Sequence, residues 1–168
     1  LYFNTGHKRD NSLFLKAERE AGRFTVFADL QIRSATFEYA PDANSGLFRS
    51  TVPWNFFNPK AGATAVLAPA WTAYASYGVN HREPARSDML AGFDNLDTSS
   101  AAFVGSFRRL GPEQVHDAEG GVRRRGARWT VDANVFAMEF RNEILPIGQL
   151  SYIGTPLRTN VPLSWRRG

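Results

Sequence analysis

The sequence contains no cysteine, which removes disulfide scaffolds, thiolate metal sites and cysteine nucleophiles together. It has no apolar run near the roughly 18 residues that a membrane-crossing helix needs, so any crossing of a bilayer must use strands. No Gly-rich phosphate loop, nucleophile elbow or zinc spacing occurs. His7, His81 and His116 lie far apart, without metal-ligand spacing. Nucleophile, base and orienter cannot be assembled from any stretch, so the chain reads as no enzyme, with no catalytic residue, metal site or cofactor. No signal peptide is visible at the N-terminus. The start reads as processed, or as the interior of a longer protein.

Aromatic residues are abundant instead: 13 Phe, 5 Tyr and 4 Trp, 13% of the chain. The formal charge of +4 arises from 20 basic and 16 acidic residues. The basic residues are scattered, and only Arg123, Arg124 and Arg125 form a block, too short to track a nucleic-acid backbone. Nucleic acid is therefore not expected as a partner.

Period-two alternation recurs, and it is the primary signal of strands. Phe24, Val26, Ala28, Leu30 and Ile32 share one face, while Thr25, Asp29, Gln31 and Arg33 share the other with Phe27. Trp71–Asn80 and Trp129–Met138 alternate in the same way. Each is near the length that crosses a bilayer as a tilted strand. All three open on aromatic-Thr-small-x-Ala: Phe24-Thr25-Val26-Phe27-Ala28, Trp71-Thr72-Ala73-Tyr74-Ala75 and Trp129-Thr130-Val131-Asp132-Ala133.

Short turns precede these strands at Ala21-Gly22, Leu67–Ala70 and Gly126-Ala127, with antecedent strands at Ser12–Glu20, Asn58–Leu67 and Glu113–Arg125. Long irregular segments follow them: Pro41–Trp54, His81–Gly111 and Asn142–Thr155. Such loops are uncommon in compact soluble domains. Outer-membrane barrels alternate short periplasmic turns with long extracellular loops, and aromatic girdles mark their interfaces. The spacing thus predicts an all-β, antiparallel meander of about seven or eight strands, a segment of a transmembrane β-barrel. Phe24, Trp71 and Trp129 would form the periplasmic girdle, with lipid on the apolar face and a polar lumen on the other. A soluble β-sandwich carries the same alternation; the loop asymmetry tells against it.

The series Asn58-Pro59-Lys60-Ala61-Gly62, Ala70–Tyr77 and Arg82-Glu83-Pro84-Ala85-Arg86-Ser87-Asp88 resembles the barrel of TonB-dependent receptors. Gly111-Pro112-Glu113, Asp117, Glu119 and Gly121-Val122 look like its next hairpin. Phe136–Ile144, Thr159-Asn160-Val161 and Arg166-Arg167-Gly168 continue it in order. The resemblance covers about Ser12 to the end. It implies the cell outer membrane of a Gram-negative-type envelope, and a 22-stranded barrel around an N-terminal plug. It further implies energy-coupled uptake of a scarce solute such as a ferric siderophore, with outer-membrane lipid and a small-molecule or metal-chelate ligand as partners. The TonB complex would act only through a plug absent from this chain. Residues 1–168 thus read as one partial barrel domain, without plug or closing strands. A passive porin-like channel and a soluble β-rich binding module are the alternatives.

Departures concentrate in the strand Glu113–Arg125, where Ala118, Gly120 and Arg124, like Ala65, occupy lipid-facing positions. A lipid-facing arginine costs about 2–4 kcal/mol at the midplane but only about 0–1 kcal/mol at the interface. Arg124 lies beside a short turn, where the smaller cost applies. Gly120-Gly121 reads as a kink or bulge. Asp117 and Glu119 share a face with Arg123 and Arg125, which reads as a lumenal charge ladder rather than a carboxylate pair for hydrolysis. In the segment His81–Gly111, Arg82, Arg86, Arg108 and Arg109 suit an anionic chelate, and Phe103 and Phe107, with Phe93, offer stacking surfaces. Alternatively Arg82, Glu83, Arg86 and Asp88 pair into a base that shapes the loop. Arg108 and Arg109 are then the stronger contact candidates.

Overall fold

Alternation makes strand of almost everything outside one long connection. The computed structural model describes residues 4–151 and 154–168. Within them β1 (Thr5–Ala21), β2 (Phe24–Ala40), β3 (Ser50–Ala68), β4 (Trp71–Arg82), β5 (Glu113–Arg125), β6 (Thr130–Leu150) and β7 (Pro156–Arg167) form one antiparallel sheet in chain order. Two short helices, α1 (Arg86–Met89) and α2 (Thr98–Val104), lie in the connection 83–112.

Tight turns close one end of the sheet. Ala21 pairs with Phe24 across Gly22 and Arg23, and Gly22 adopts φ 63° at the first turn position, which favours glycine in a two-residue hairpin. Ala68 pairs with Trp71, and the Gly126 amide donates to the Trp129 carbonyl at 2.7 Å to close the third hairpin.

The register extends the apolar face across neighbouring strands. Ile32 pairs with Leu13 and Phe57, Ala28 with Ala17 and Ala61, and Phe24 with Ala21 and Ala65. Large residues on this face stand exposed, Leu13 at 70%, Ile32 at 58% and Val135 at 67%, an arrangement water disfavours and lipid rewards.

Halfway along β2 and β3 the pattern inverts. Below Ile32 and Phe57, which pair with each other, the apolar residues lie on the exposed face. Above them Ala35, Phe37 and Tyr39 of β2, with Val52, Trp54 and Phe56 of β3, occupy the opposite face and are buried. The exposed apolar stretch Phe24–Ile32 matches the roughly 9–11 residues of a spanning strand, so the inversion marks the outer edge of the bilayer.

Three expectations change. Strand extends further than periodicity indicated: β2 continues to Ala40, β3 begins at Ser50 and β6 runs to Leu150. Residues 50–54 and 142–150, expected in loops, are therefore strand, and 41–49 connect β2 to β3. The strand count, seven among the described residues, agrees with the expected seven or eight. Gly120-Gly121 forms no bulge, since β5 stays in register with β4 and β6 throughout. Gly121 instead seats the Tyr74 ring, 2.7 Å from where a Cβ would lie, with the Ala133 carbonyl 2.8 Å away. Phe27 lies over Gly62, and Phe136 over Gly168, in the same fashion. Each pair joins strands that are linked by an outer connection rather than a tight turn.

Candidate functional site

The outer extension of β2 and β3 presents an apolar inner face because no lipid covers it there, and the connection 83–112 folds onto that face. Leu90 and Val104 are fully buried against Tyr39, with Met89, Ala91 and Leu96 beside them. The Tyr39 hydroxyl accepts from the Leu96 amide at 3.2 Å, and Phe107 meets the Tyr39 ring edge-on at 5.4 Å. Asp97 caps α2: its carboxylate accepts from the Ser100 amide at 2.8 Å, and its own amide donates to Ser100 Oγ at 2.9 Å. The Ser100 backbone bond, joined by its hydroxyl, holds Asp97 below the usual carboxylate range.

An ion cluster anchors the root of the connection. Glu83 is buried, and Arg33 donates to both its oxygens at 2.7 and 2.8 Å while Lys8 donates at 2.5 Å. Burial works to raise the Glu83 carboxyl, but the hydrogen bonds from Arg33 and Lys8 outweigh it and hold the group at about 2. Arg33 also binds Asp10 and lies over the Phe56 ring, which in turn stacks on His81 at 5.4 Å. Asn58 Oδ1 accepts from the His81 amide at 3.1 Å, filling the split where β3 and β4 stop pairing.

The far end of the connection is tied to β6 and β7. Asn160 imitates a backbone strand, with Oδ1 accepting from the Gly111 amide at 2.8 Å and Nδ2 donating to the Gly111 and Asn142 carbonyls. Asn142 adopts φ 53°, which exposes its carbonyl to that bond.

The six residues singled out from sequence take different positions. Arg82 pairs with Glu113 at 3.1 Å. Arg86 donates to Asn4 at 3.2 Å and to the Asp94 carbonyl at 2.8 Å, tying the connection to the residue just before β1. Arg109 reaches the Arg158 and Asp88 carbonyls, each at 3.4 Å. Phe107 is half-buried and packs against the buried cluster. Arg108 is exposed, and its amide is bonded to Ser106. Phe103 is 64% exposed, and its ring meets Phe93 edge-on at 6.0 Å.

The salt-bridged base from Arg82 to Asp88 does not form as a unit. Its members face four directions: Arg82 to Glu113, Glu83 to Arg33, Arg86 to Asn4, and Asp88 to Arg158 at 3.5 Å. The ladder on β5 is partly present: Arg123 binds Asp132 on β6 at 2.5 Å, while Glu119 accepts from Tyr74 at 2.7 Å.

The structure adds a cleft of about 560 Å³ lined by Phe93, Phe103, Leu150, Asp97, Ser99 and Ser100. Two aromatic rings, an aliphatic chain and hydroxyls at one opening suit a small ligand with apolar and polar parts. Leu150 lay in an expected loop, so its place beside Phe103 was not readable. The Asp97-x-x-Ser100 cap was a readable helix signal.

The family model described as TonB dependent receptor-like, β-barrel, matches residues 1–168. Among solved structures, the copper transporter OprC superposes with a TM-score of 0.74 at 16% identity, covering 95% of this chain and 26% of its own. The FrpB iron transporter from Neisseria meningitidis (F3-3 variant) gives 0.62 at 16% identity, over 99% and 23% respectively. The ferric-catecholate import receptor Fiu from E. coli K12 gives 0.59 at 14%, over 97% and 25%. At such identities the likeness is one of fold. The chain spans about a quarter of the length of these structures. No curated protein matches the sequence.

Proposed function

The chain belongs to the TonB-dependent receptor-like β-barrel family, and from that premise we propose that it is a wall segment of an outer-membrane receptor capturing a scarce metal or small metal chelate for energy-coupled uptake. Energy would reach the barrel through a plug and the TonB complex, neither of them part of this segment. The observation that carries the reading is the connection 83–112, folded onto the polar-lumen side of the sheet rather than away from it. A loop so held brings its cleft and exposed cations to the barrel mouth, where an entering solute must pass. Phe103 and Phe93 supply stacking surface, and Arg108, with Arg109 beside it, supplies positive charge for an anionic chelate. Arg82 and Arg86 serve that contact less, being engaged with Glu113 and Asn4. Phe107 supports the loop from within.

The test is binding by the complete receptor that carries this chain, purified in detergent and titrated with ferric catecholate chelates and with copper while its intrinsic fluorescence is followed. Replacing Arg108 and Arg109 together with Ala is expected to weaken binding more than Arg82→Ala. Equal losses, or no saturable binding to any chelate or metal, would overturn the reading.

A further inference from the structure

The two faces of the sheet treat charge differently near the tight turns. On the polar face, Lys16 pairs with Asp29 at 3.7 Å and Arg123 with Asp132 at 2.5 Å across the strands, while Arg125 and Lys60 have no ion-pair partner among the described residues. On the apolar face, the half nearest the turns carries no Asp or Glu among the described residues. The acids that register places on this face, Glu38 and Glu139, lie beyond it in the outer half, each with its own arginine. Yet Arg19 and Arg124 stand on the apolar face near the turns, opposite Val26 and Val131, while Arg23 and Arg128 occupy the turns themselves. None of these four has an ion-pair partner among the described residues.

Arg124 shows the most built arrangement. Its guanidinium lies over the Trp71 ring at 5.4 Å and the Trp129 ring at 4.8 Å, so one indole from each side of β5 holds the cation. Both indoles remain part-exposed, Trp71 at 41% and Trp129 at 47%. In the adjacent hairpin Arg23 lies over Phe24 at 5.2 Å. Rings fix the depth of these cations at a membrane interface while leaving their N–H donors free for an anion.

We infer that this rim binds the phosphate headgroup of an anionic phospholipid in the periplasmic leaflet, with Arg124 as the central donor between Trp71 and Trp129. The inference rests on the membrane-barrel reading above. It goes further by assigning a lipid class, a leaflet and residues. Charge complementarity names the occupant: unpaired arginines on a surface that elsewhere meets acyl chains require an anion attached to acyl chains. Attraction of arginine to an anionic headgroup is strong enough for each cation to change lipid retention about fivefold.

The experiment uses the complete receptor, reconstituted with phosphatidylglycerol or phosphatidylethanolamine, re-extracted in mild detergent and weighed intact by native mass spectrometry. Phosphatidylglycerol is expected to be retained about tenfold or more over phosphatidylethanolamine. Arg124→Gln is expected to lower that retention about fivefold, and Arg124→Lys to lower it less. Glycerol 3-phosphate, the free-phosphate arm, should not displace the lipid. Heat-dependent migration on a gel verifies that each variant is folded. Should Arg124→Gln fail that check, Arg23→Gln and Arg128→Gln in the turns carry the test under the same criteria. Equal retention of the two lipids, full retention in the folded variants, or displacement by glycerol 3-phosphate would each overturn the site. Failure of the receptor to insert into vesicles at all would instead overturn the barrel reading on which the site rests.

Discussion

Arg33 grips both carboxylate oxygens of Glu83, Nη1 to Oε2 at 2.7 Å and Nη2 to Oε1 at 2.8 Å. Arg33 stands on β2 just above the inversion of the apolar pattern, and Glu83 is the first residue of the connection after β4. The pair therefore joins barrel wall to mouth at the level where lipid ends. Removing one partner of a buried pair strands the other charge, which is far more costly than never having had the pair.

Arg33→Met is accordingly expected to loosen the root of the connection by about 3 kcal/mol, because Glu83 would retain only Lys8, which is half exposed. Glu83→Gln should cost less, since Arg33 keeps Asp10. Amide hydrogen exchange across residues 86–104 of the complete receptor checks the order. Equal protection in both variants and the parent would show that the apolar cluster alone holds the connection.

The same carboxylate sets a pH dependence. Its folded value of about 2 lies below the ordinary 4.5, so the folded state binds the proton less readily than the open state. The stabilisation is therefore fully present above about 4.5 and is lost as pH falls towards 2, amounting to at most about 3 kcal/mol. Exchange protection of the connection, taken relative to the intrinsic exchange rate at each pH, should stay flat from pH 7 to 5 and fall below 4.5. A fall that begins near pH 6 would assign the response to a histidine instead.

How much of this was legible in the sequence depends on which solvent each residue meets. β4 and β5 were readable nearly to their ends, because one apolar parity holds from Trp71 to Val79. β2 read as ending at Arg33, because beyond it the apolar residues change parity: Phe37 and Tyr39 follow Leu30 and Ile32 on the other face. A search for one unbroken alternation stops at such a switch. The switch itself was written in Val52, Trp54 and Phe56, whose parity is opposite to that of Phe57, Pro59 and Ala61. The contact residues were less legible. Phe103 and Phe107 are alike in sequence, yet one is exposed and the other packs on Tyr39. Which ring faces outward depends on the path of the connection, and no local pattern encodes that path.

The adjacent glycines of β5 give a test with an internal control. A Cβ at Gly121 would lie 2.8 Å from the Ala133 carbonyl and 2.7 Å from the Tyr74 ring, whereas at Gly120 its nearest neighbour is the Tyr74 carbonyl at an ordinary 3.5 Å. Gly121→Ala should destabilise the barrel by about 1–3 kcal/mol, while Gly120→Ala should be near neutral. Denaturant unfolding of the complete receptor in lipid vesicles distinguishes them. Similar losses in both would mean that strand flexibility, rather than the seat for Tyr74, explains the pair.

Support and contact in the connection can be separated by Leu90 and Phe103. Leu90 is fully buried in the cluster that holds the connection to β2 and β3, so Leu90→Ala should cost about 2–5 kcal/mol of local stability. Phe103 touches Phe93 at the open cleft and buries little, so Phe103→Ala should leave exchange protection nearly unchanged. Its effect is expected in chelate binding, as a several-fold loss on the scale of one aromatic stacking contact. Leu90→Ala would weaken binding too, but only alongside faster exchange, because it acts by releasing the loop. If Phe103→Ala changed exchange as strongly as Leu90→Ala, the exposed ring would be a structural prop and the cleft would lose its claim as a contact surface.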